Sequence, residues 1–235
     1  MLEVKIHRHL PDHPWTYQML DRLQREVAAR VENGGTGAIL LSEVAPVISV
    51  AKRTAPTDVL MSKEALAALG IDLVSTDRGG MATYHGPGQW VLYVVDSLER
   101  LTGDRRGVRI AVESLLEIAL GVCEKYAPRS EIKMGKELGV WTPQGKVASL
   151  GVRIVKGVLL HGIAINGFHT EKSFMGLRPC GLDEPVDYLL NEMTLKSGIV
   201  YSMSELSERF ETLGQEILSA AQSRFLPQTQ KTQKT

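Results

Sequence analysis

Three apolar runs, "LGVWT", "KVASLGVRIV" and "VLLHGIAIN", follow one another between Leu138 and Asn166, separated only by "PQG" (143–145) and "KG" (156–157). Links this short join neighbouring antiparallel strands, so the stretch is expected to form a meander. A sheet that is at least partly antiparallel is therefore the frame into which the rest of the chain must fit.

The other segments supply further strands and the helices. "LEVKIHRHL" (2–10) alternates apolar and polar residues and reads as a strand. "PWTYQMLDRLQREVAARVENGG" (14–35) reads as a helix, with Pro14 near its start and Gly34-Gly35 past its end. "AILLSEV" (38–44) and "VISVAK" (47–52) flank Ala45-Pro46 and are expected to form a hairpin. "SKEALAALG" (62–70) is a short helix, with Ser62 as N-cap and Gly70 as its stop. "IDLVST" (71–76) and "QWVLYVV" (89–95) are strands that enter and leave a glycine-rich segment. Long helices are expected near Arg105–Tyr126 and Ser202–Phe225. Neither a repeat nor a linker divides the chain. The fold class expected is α/β (α+β), a single domain over residues 1–226 with a mixed, largely antiparallel sheet and flanking helices. "PQTQKTQKT" (227–235) has nothing to bury and is expected to be a disordered tail.

Charge narrows the partners. Lys plus Arg equals Asp plus Glu, 27 each, which argues against a nucleic-acid or membrane-surface protein. There is no apolar run of about 18 residues and no signal-peptide pattern. Two cysteines are too few for a disulfide framework, so a reduced, cytoplasmic protein is expected.

The segment "RGGMATYHGPGQW" (78–90) combines permissive backbone with large polar side chains. It matches neither the P-loop nor the dinucleotide-binding fingerprint, and one RGG copy without basic excess does not make an RNA-binding element. Two readings stay open. The glycines serve a tight strand–loop–strand connection, or they form a wall of backbone that a ligand approaches closely, with Arg78, Tyr84 and His85 projecting from it.

The cysteines differ in setting. Cys123 shares a helical apolar stripe with Val112, Leu115, Leu116, Ala119 and Val122, and reads as a small buried hydrophobe. Cys180 sits in "LRPCGL" between a proline and a glycine, either an incidental loop residue or a nucleophile. Period two places His161 with Leu159, Ile163 and Ile165, as a core histidine with a satisfied hydrogen bond. The histidines lack metal-ligand spacing with the cysteines, so no metal site is expected. Lys146 begins a strand just after a turn, a rigid place for a catalytic amine, but composition does not choose it from the other lysines, most of which must be solvated.

Taken together and in this order, "RGGMATYHGPGQ", "GKVASLGVRI", "HGIAIN" and "RPCGL" resemble the octanoyltransferase family (lipoyl(octanoyl) transferases), from the first helix to about Leu182. The resemblance implies transfer of octanoate from octanoyl-acyl carrier protein to a specific lysine of lipoyl domains, those of 2-oxoacid dehydrogenase acyltransferase subunits and of the glycine cleavage H protein, in lipoate biosynthesis. It implies a Cys thioester nucleophile at Cys180 with Lys146 beside it. The implied substrate pocket comprises Arg78, Gly79, Gly80, Met81, Ala82, Thr83, Tyr84 and His85, then Ser149, Leu150 and Gly151, then Gly162, Ile163 and Ala164. No cofactor is implied beyond the phosphopantetheine arm that delivers the acyl group. The implied fold is that of the biotin and lipoate protein ligases. The chain departs from the family pattern at Met81-Ala82, where Gln-Val is frequent, and at Gly167-Phe168, positions that bear on pocket shape and acyl-chain fit. An ATP-dependent ligase, a thioester hydrolase and a non-catalytic acyl-protein binding module are the competing classes.

Overall fold

The computed structural model describes residues 2–178, 185–191 and 201–226, and Cys180 and the expected tail lie outside them. In chain order the elements are β1 (Glu3–His7), α1 (Tyr17–Glu32), β2 (Ala38–Ser42), β3 (Val47–Val50), α2 (Lys63–Ala68), β4 (Asp72–Ser75), β5 (Thr83–His85), β6 (Gln89–Val95), α3 (Leu98–Thr102), α4 (Val108–Tyr126), β7 (Glu131–Lys133), β8 (Gly139–Thr142), β9 (Gly145–Val155), β10 (Val158–Asn166) and α5 (Met203–Phe225).

The meander is present: β8, β9 and β10 pair antiparallel in sequence. Lys156 and Gly157 turn the chain between β9 and β10 with φ of 48° and 79°, the left-handed pair that a two-residue hairpin loop of matching twist requires. These strands belong to a seven-stranded sheet of order β1-β2-β6-β10-β9-β8-β7. Only β1 and β2 run parallel in it. A second sheet of three strands has the order β4-β3-β5.

The expected hairpin of "AILLSEV" with "VISVAK" does not form. Both edges of β2 are taken, by β1 and by β6, while β3 pairs with β4 and β5 in the small sheet. Residues 43–46 carry the chain from one sheet to the other. Pro46 has no N–H to offer a hairpin, and its carbonyl instead accepts from Asp72 N–H at 3.0 Å. Glu43 is buried and receives the N–H of Gly88 at 2.9 Å and Arg8 Nε at 2.6 Å.

Helices cover both faces of the large sheet. Leu20, Val27 and Val31 of α1 pack with Leu40, Tyr93 and Leu160 on one face. Leu115 and Val122 of α4 and Phe210 and Ile217 of α5 pack with Ile39, Leu92 and Ile165 on the other. α5 comes close to the sheet because residue 214 is glycine: a Cβ there would stand 2.7 Å from the Trp90 ring. Trp90 Nε1 donates to the Phe210 carbonyl at 2.8 Å, satisfying a buried indole. A capping box of Ser202 and Glu205 starts α5. The helix expected from Arg105 begins later, at Val108, because α3 precedes it, capped by Ser97 and closed by Gly103 at φ 76°. Among the described residues no helix is long and apolar enough to cross a membrane.

Candidate functional site

The strand pairing leaves a gap that the glycine-rich segment borders. β8 pairs with β9 from Thr142↔Gly145 to Gly139↔Ser149. Past that point Gly79 donates its N–H to the Val152 carbonyl at 2.9 Å. Between these two attachments a cavity of about 940 Å³ opens, lined by Gly79, Gly80 and Met81 on one side and Ser149, Leu150 and Gly151 on the other. That volume lies in the range of small-molecule sites. The close approach needs a glycine at 151, where a Cβ would meet the Gly79 carbonyl at 2.7 Å. Gly162, Ile163 and Ala164 of β10 also line it.

Lys146 reaches this cavity through an irregularity. Trp141 pairs with Lys146 and Val140 with Ala148, so Val147 is an extra residue in β9. Such a bulge twists a strand locally and re-aims its side chains. The Lys146 stem runs past Gly139, whose missing Cβ would stand 2.6 Å from Lys146 Cε. The side chain is buried, lines the cavity, and holds its Nζ 5.6 Å from the Trp141 ring centroid, a cation–π arrangement. The backbone of Lys146 bonds to the next described segment: its N–H donates to the Pro185 carbonyl at 2.8 Å, and its carbonyl accepts from Asp187 N–H at 3.0 Å.

Arg78 is buried and stapled to β3. Its Nη2 donates to the carbonyl and the hydroxyl of Ser49, both at 2.9 Å, and its Nη1 to the Gly79 carbonyl at 3.0 Å. Strand alternation divides the residues that follow. Thr83 and His85 line the cavity, whereas Ala82 and Tyr84 point into a separate small core with Ile48 and Leu66. The structure thus gathers Lys146 and twelve of the fourteen expected pocket residues at one cavity, and leaves Ala82 and Tyr84 outside it.

His85 is held by a buried chain of amides. Its Nδ1 lies 2.7 Å from Gln89 Oε1, Gln89 Nε2 donates to Asn166 Oδ1 at 2.8 Å, and Asn166 Nδ2 donates to the Asp187 carbonyl at 3.1 Å. Burial, aided by the charge of Arg78, pushes the His85 pKa down to about 3, so the ring is neutral at ordinary pH. The cavity's ionic character is one-sided: among its described lining residues Arg53, Arg78, Lys136 and Lys146 are cationic and none is acidic, which suits a thiolate, an oxyanion or a phosphate.

The other candidates resolve differently. His161 is fully buried and bonded, with Nδ1 3.2 Å from Gln24 Nε2 and Nε2 3.1 Å from Asp77 Oδ1. Its φ of 61° breaks the regular alternation, so it meets α1 while Leu159, Ile163 and Ile165 face α4 and α5. Cys123 is buried in that same core, and burial pushes its pKa up to about 12, which leaves an inert thiol. Residue-by-residue reading missed Gln89, Asn166, Arg53 and Lys136. Gln89 and Asn166 carried a signal, since each is a carboxamide at the end of an otherwise apolar strand.

Comparison with known proteins agrees with this architecture. The model of the lipoyl protein ligase A/B catalytic domain matches residues 17–211. The chain is 35% identical over 208 residues to an octanoyltransferase of Magnetococcus marinus, covering 88% of this chain and 89% of that one. It is 34% identical over 167 residues to an octanoyltransferase of Desulfovibrio desulfuricans, covering 71% and 69%. Among solved structures, lipoate-protein ligase A bound with ATP superposes with a TM-score of 0.63 at 14% identity, over 93% of this chain and 86% of that one. P. falciparum LipL1 in complex with lipoate gives 0.59 at 12% identity, over 96% and 62%. At such identities the structural likeness speaks for the fold.

Proposed function

The chain belongs to the lipoyl protein ligase A/B catalytic family and, within it, to the octanoyltransferases, the acyltransferases of lipoate biosynthesis; from that premise we propose that it moves octanoate from acyl carrier protein, through a thioester on Cys180, to one lysine of a lipoyl domain. The Cys180 thiolate attacks the octanoyl carbonyl, a new C–S bond forms, and the phosphopantetheine thiol leaves with a proton. The acceptor amine then attacks, the C–N bond forms, and the bond to Cys180 breaks. Exchange of one thioester for another is nearly neutral, and formation of an amide runs downhill. Neither ATP nor a metal enters this scheme.

The observation that carries the reading is Lys146, a buried amine at the wall of a large cavity, bonded through its backbone to Pro185 and Asp187. Cys180 precedes Pro185 by five residues, so at most about 18 Å of extended chain separates them. In this scheme the Lys146 cation favours the Cys180 thiolate and then helps the incoming amine shed its proton. Expected acceptors are the lipoyl domains of 2-oxoacid dehydrogenase complexes and the glycine cleavage H protein, in the cytoplasm.

Intact mass tests the scheme. Mixing with octanoyl-acyl carrier protein should add one octanoyl group to the enzyme, and a lipoyl domain should then remove it. Transfer from free octanoate only when ATP is present would show a ligase instead, and loss of the group to water alone a hydrolase.

A further inference from the structure

The amide chain behind His85 determines what His85 shows to the cavity. Asn166 faces the carbonyls of Lys146 and Asp187 at 3.4 and 3.1 Å, so the atom it turns toward them must be its N–H₂ group. Asn166 Oδ1 is therefore an acceptor, and Gln89 presents its own N–H₂ to it, as well as to the Tyr84 carbonyl at 3.2 Å. Gln89 Oε1 is then left to accept, and His85 Nδ1 must carry the proton. His85 Nε2 is consequently a bare lone pair. It is buried, belongs to a cavity-lining residue, and has no hydrogen-bond partner among the described residues.

Thr83 shows the same signature two residues earlier on the same face of β5: a buried, cavity-lining side chain whose Oγ1 has no partner among the described residues. Buried polar atoms are rarely left unpaired, and two side by side on a cavity wall can both be satisfied by one polar ligand. An alkyl chain laid against them would satisfy neither. Side chains two apart on a strand stand about 7 Å from each other. A trans secondary amide points its N–H and its C=O in opposite directions. With hydrogen bonds of about 2.9 Å on each side, such an amide spans that separation. The apolar lining beside them, Val91, Tyr93 and Ala164, remains for the acyl chain.

Resting on the octanoyl-transfer reading, we propose that Thr83 and His85 bind the cysteamine amide of the donor's pantetheine arm, with His85 Nε2 accepting its N–H and Thr83 donating to its C=O. The pair would then recognise the donor arm two carbons from the thioester sulfur, and would position the carbonyl for attack. Because the ring stays neutral, it offers this acceptor over the whole working pH range.

The test uses the full-length enzyme, a lipoyl domain as acceptor, and two small donors. One is S-octanoyl-N-acetylcysteamine. The other is its 2-acetoxyethyl counterpart, in which an ester oxygen replaces the N–H and the carbonyl is kept. The readout is the ratio of kcat/KM between the donors within each protein, so a loss common to both cancels. Wild type should prefer the amide by roughly tenfold or more, as expected when a bare buried acceptor is left facing an oxygen. His85→Phe, which keeps an aromatic ring against Tyr17, should bring the ratio close to one. Thr83→Val should slow both donors and keep the ratio. Octanoyl-acyl carrier protein and octanoyl-coenzyme A share the amide, so both should fall together in His85→Phe, and the one with the higher wild-type kcat/KM is the source of the arm. A wild-type ratio near one overturns the proposal, as does a preference that survives in His85→Phe. Should wild type move octanoate from none of the donors, the transfer reading fails with it; equal use of amide and ester donors overturns this proposal and leaves that reading standing.

Discussion

The backbone N–H of Lys146 donates to the carbonyl of Pro185 at 2.8 Å, which fastens the chain that follows "RPCGLDE" to the strand carrying the buried amine. This bond, the parallel bridge between Lys146 and Val186, and the bond from Asp187 N–H to the Lys146 carbonyl make one anchored unit of the lysine and residues 185–187. Before "PCGLDE", Arg178 N–H donates to the Asp58 carbonyl at 2.8 Å.

The duties proposed for Lys146 are separable. Lys146→Arg keeps a cation but provides no base, because guanidinium does not give up its proton in proteins. Single-turnover mass spectra should show the acyl-enzyme forming and then persisting, with transfer slowed by about 10²–10⁴. Lys146→Met should fail in both steps. Near-normal transfer by the Arg variant would remove the proton-transfer duty.

Chain-length control should reside at Ala164 and not at Gly162. Both line the cavity, but a Cβ on Gly162 would stand 2.1 Å from the Leu92 carbonyl oxygen, inside the sheet. Gly162→Val should therefore lower the melting temperature sharply and depress transfer of octanoyl and butanoyl groups alike. Ala164→Val should cost about 1–3 kcal/mol by overpacking and reduce octanoyl transfer more than butanoyl transfer. An unchanged ratio of the two in Ala164→Val would place the acyl chain elsewhere.

The outer cations should act on donor capture. Arg53 and Lys136 are exposed residues that also line the cavity. Reversing both to Glu should raise KM for octanoyl-acyl carrier protein by about tenfold with little change in kcat, and salt should produce the same trend in wild type. Steady-state kinetics at two ionic strengths would show it, and an unaltered KM would assign these residues no part in binding.

Acid should destabilise the fold through its buried imidazoles. Burial lowers the pKa of both His85 and His161, the former to about 3, whereas an unfolded histidine takes up a proton near 6.5. Below that value the unfolded chain binds more protons than the folded one. Stability is thus full above pH ~6.5 and declines as pH falls toward the folded values, by up to about 1.4 kcal/mol per pH unit for each ring. Denaturant titrations at pH 7.5 and pH 5 should differ by at least roughly 2 kcal/mol, the share of His85 alone, and His85→Phe should remove that share. Equal stability at both pH values would contradict the buried neutral rings.

What the sequence made legible follows from what local rules govern. The β8–β9–β10 meander was readable because its turns are short and Lys156-Gly157 tolerates left-handed backbone. Ser62 and Gly70 bound their helix as capping chemistry dictates. The β2–β3 hairpin was misread because strand partners are chosen by the whole fold: β6 and β1 claim β2 from far along the chain. The face of His161 was misread because period two assumes regular backbone, and a φ of 61° has no local signature in a residue other than glycine. The cavity residues were reached through resemblance, since Arg78, Lys146 and Ile163 meet only across strands. The inward turn of Thr83 and His85 was implicit in alternation along β5, once that strand was placed.

The central claim is that Cys180 carries the octanoyl group. The direct measurement is peptide mapping of the enzyme trapped after a single turnover with octanoyl-acyl carrier protein and no acceptor. The octanoyl group should be found on Cys180, Cys180→Ala should take up none, and Cys123→Ala should acylate normally with roughly 1–2 kcal/mol less stability from the small core cavity it leaves. An octanoyl group on Cys123, or undiminished transfer by Cys180→Ala, would contradict the account.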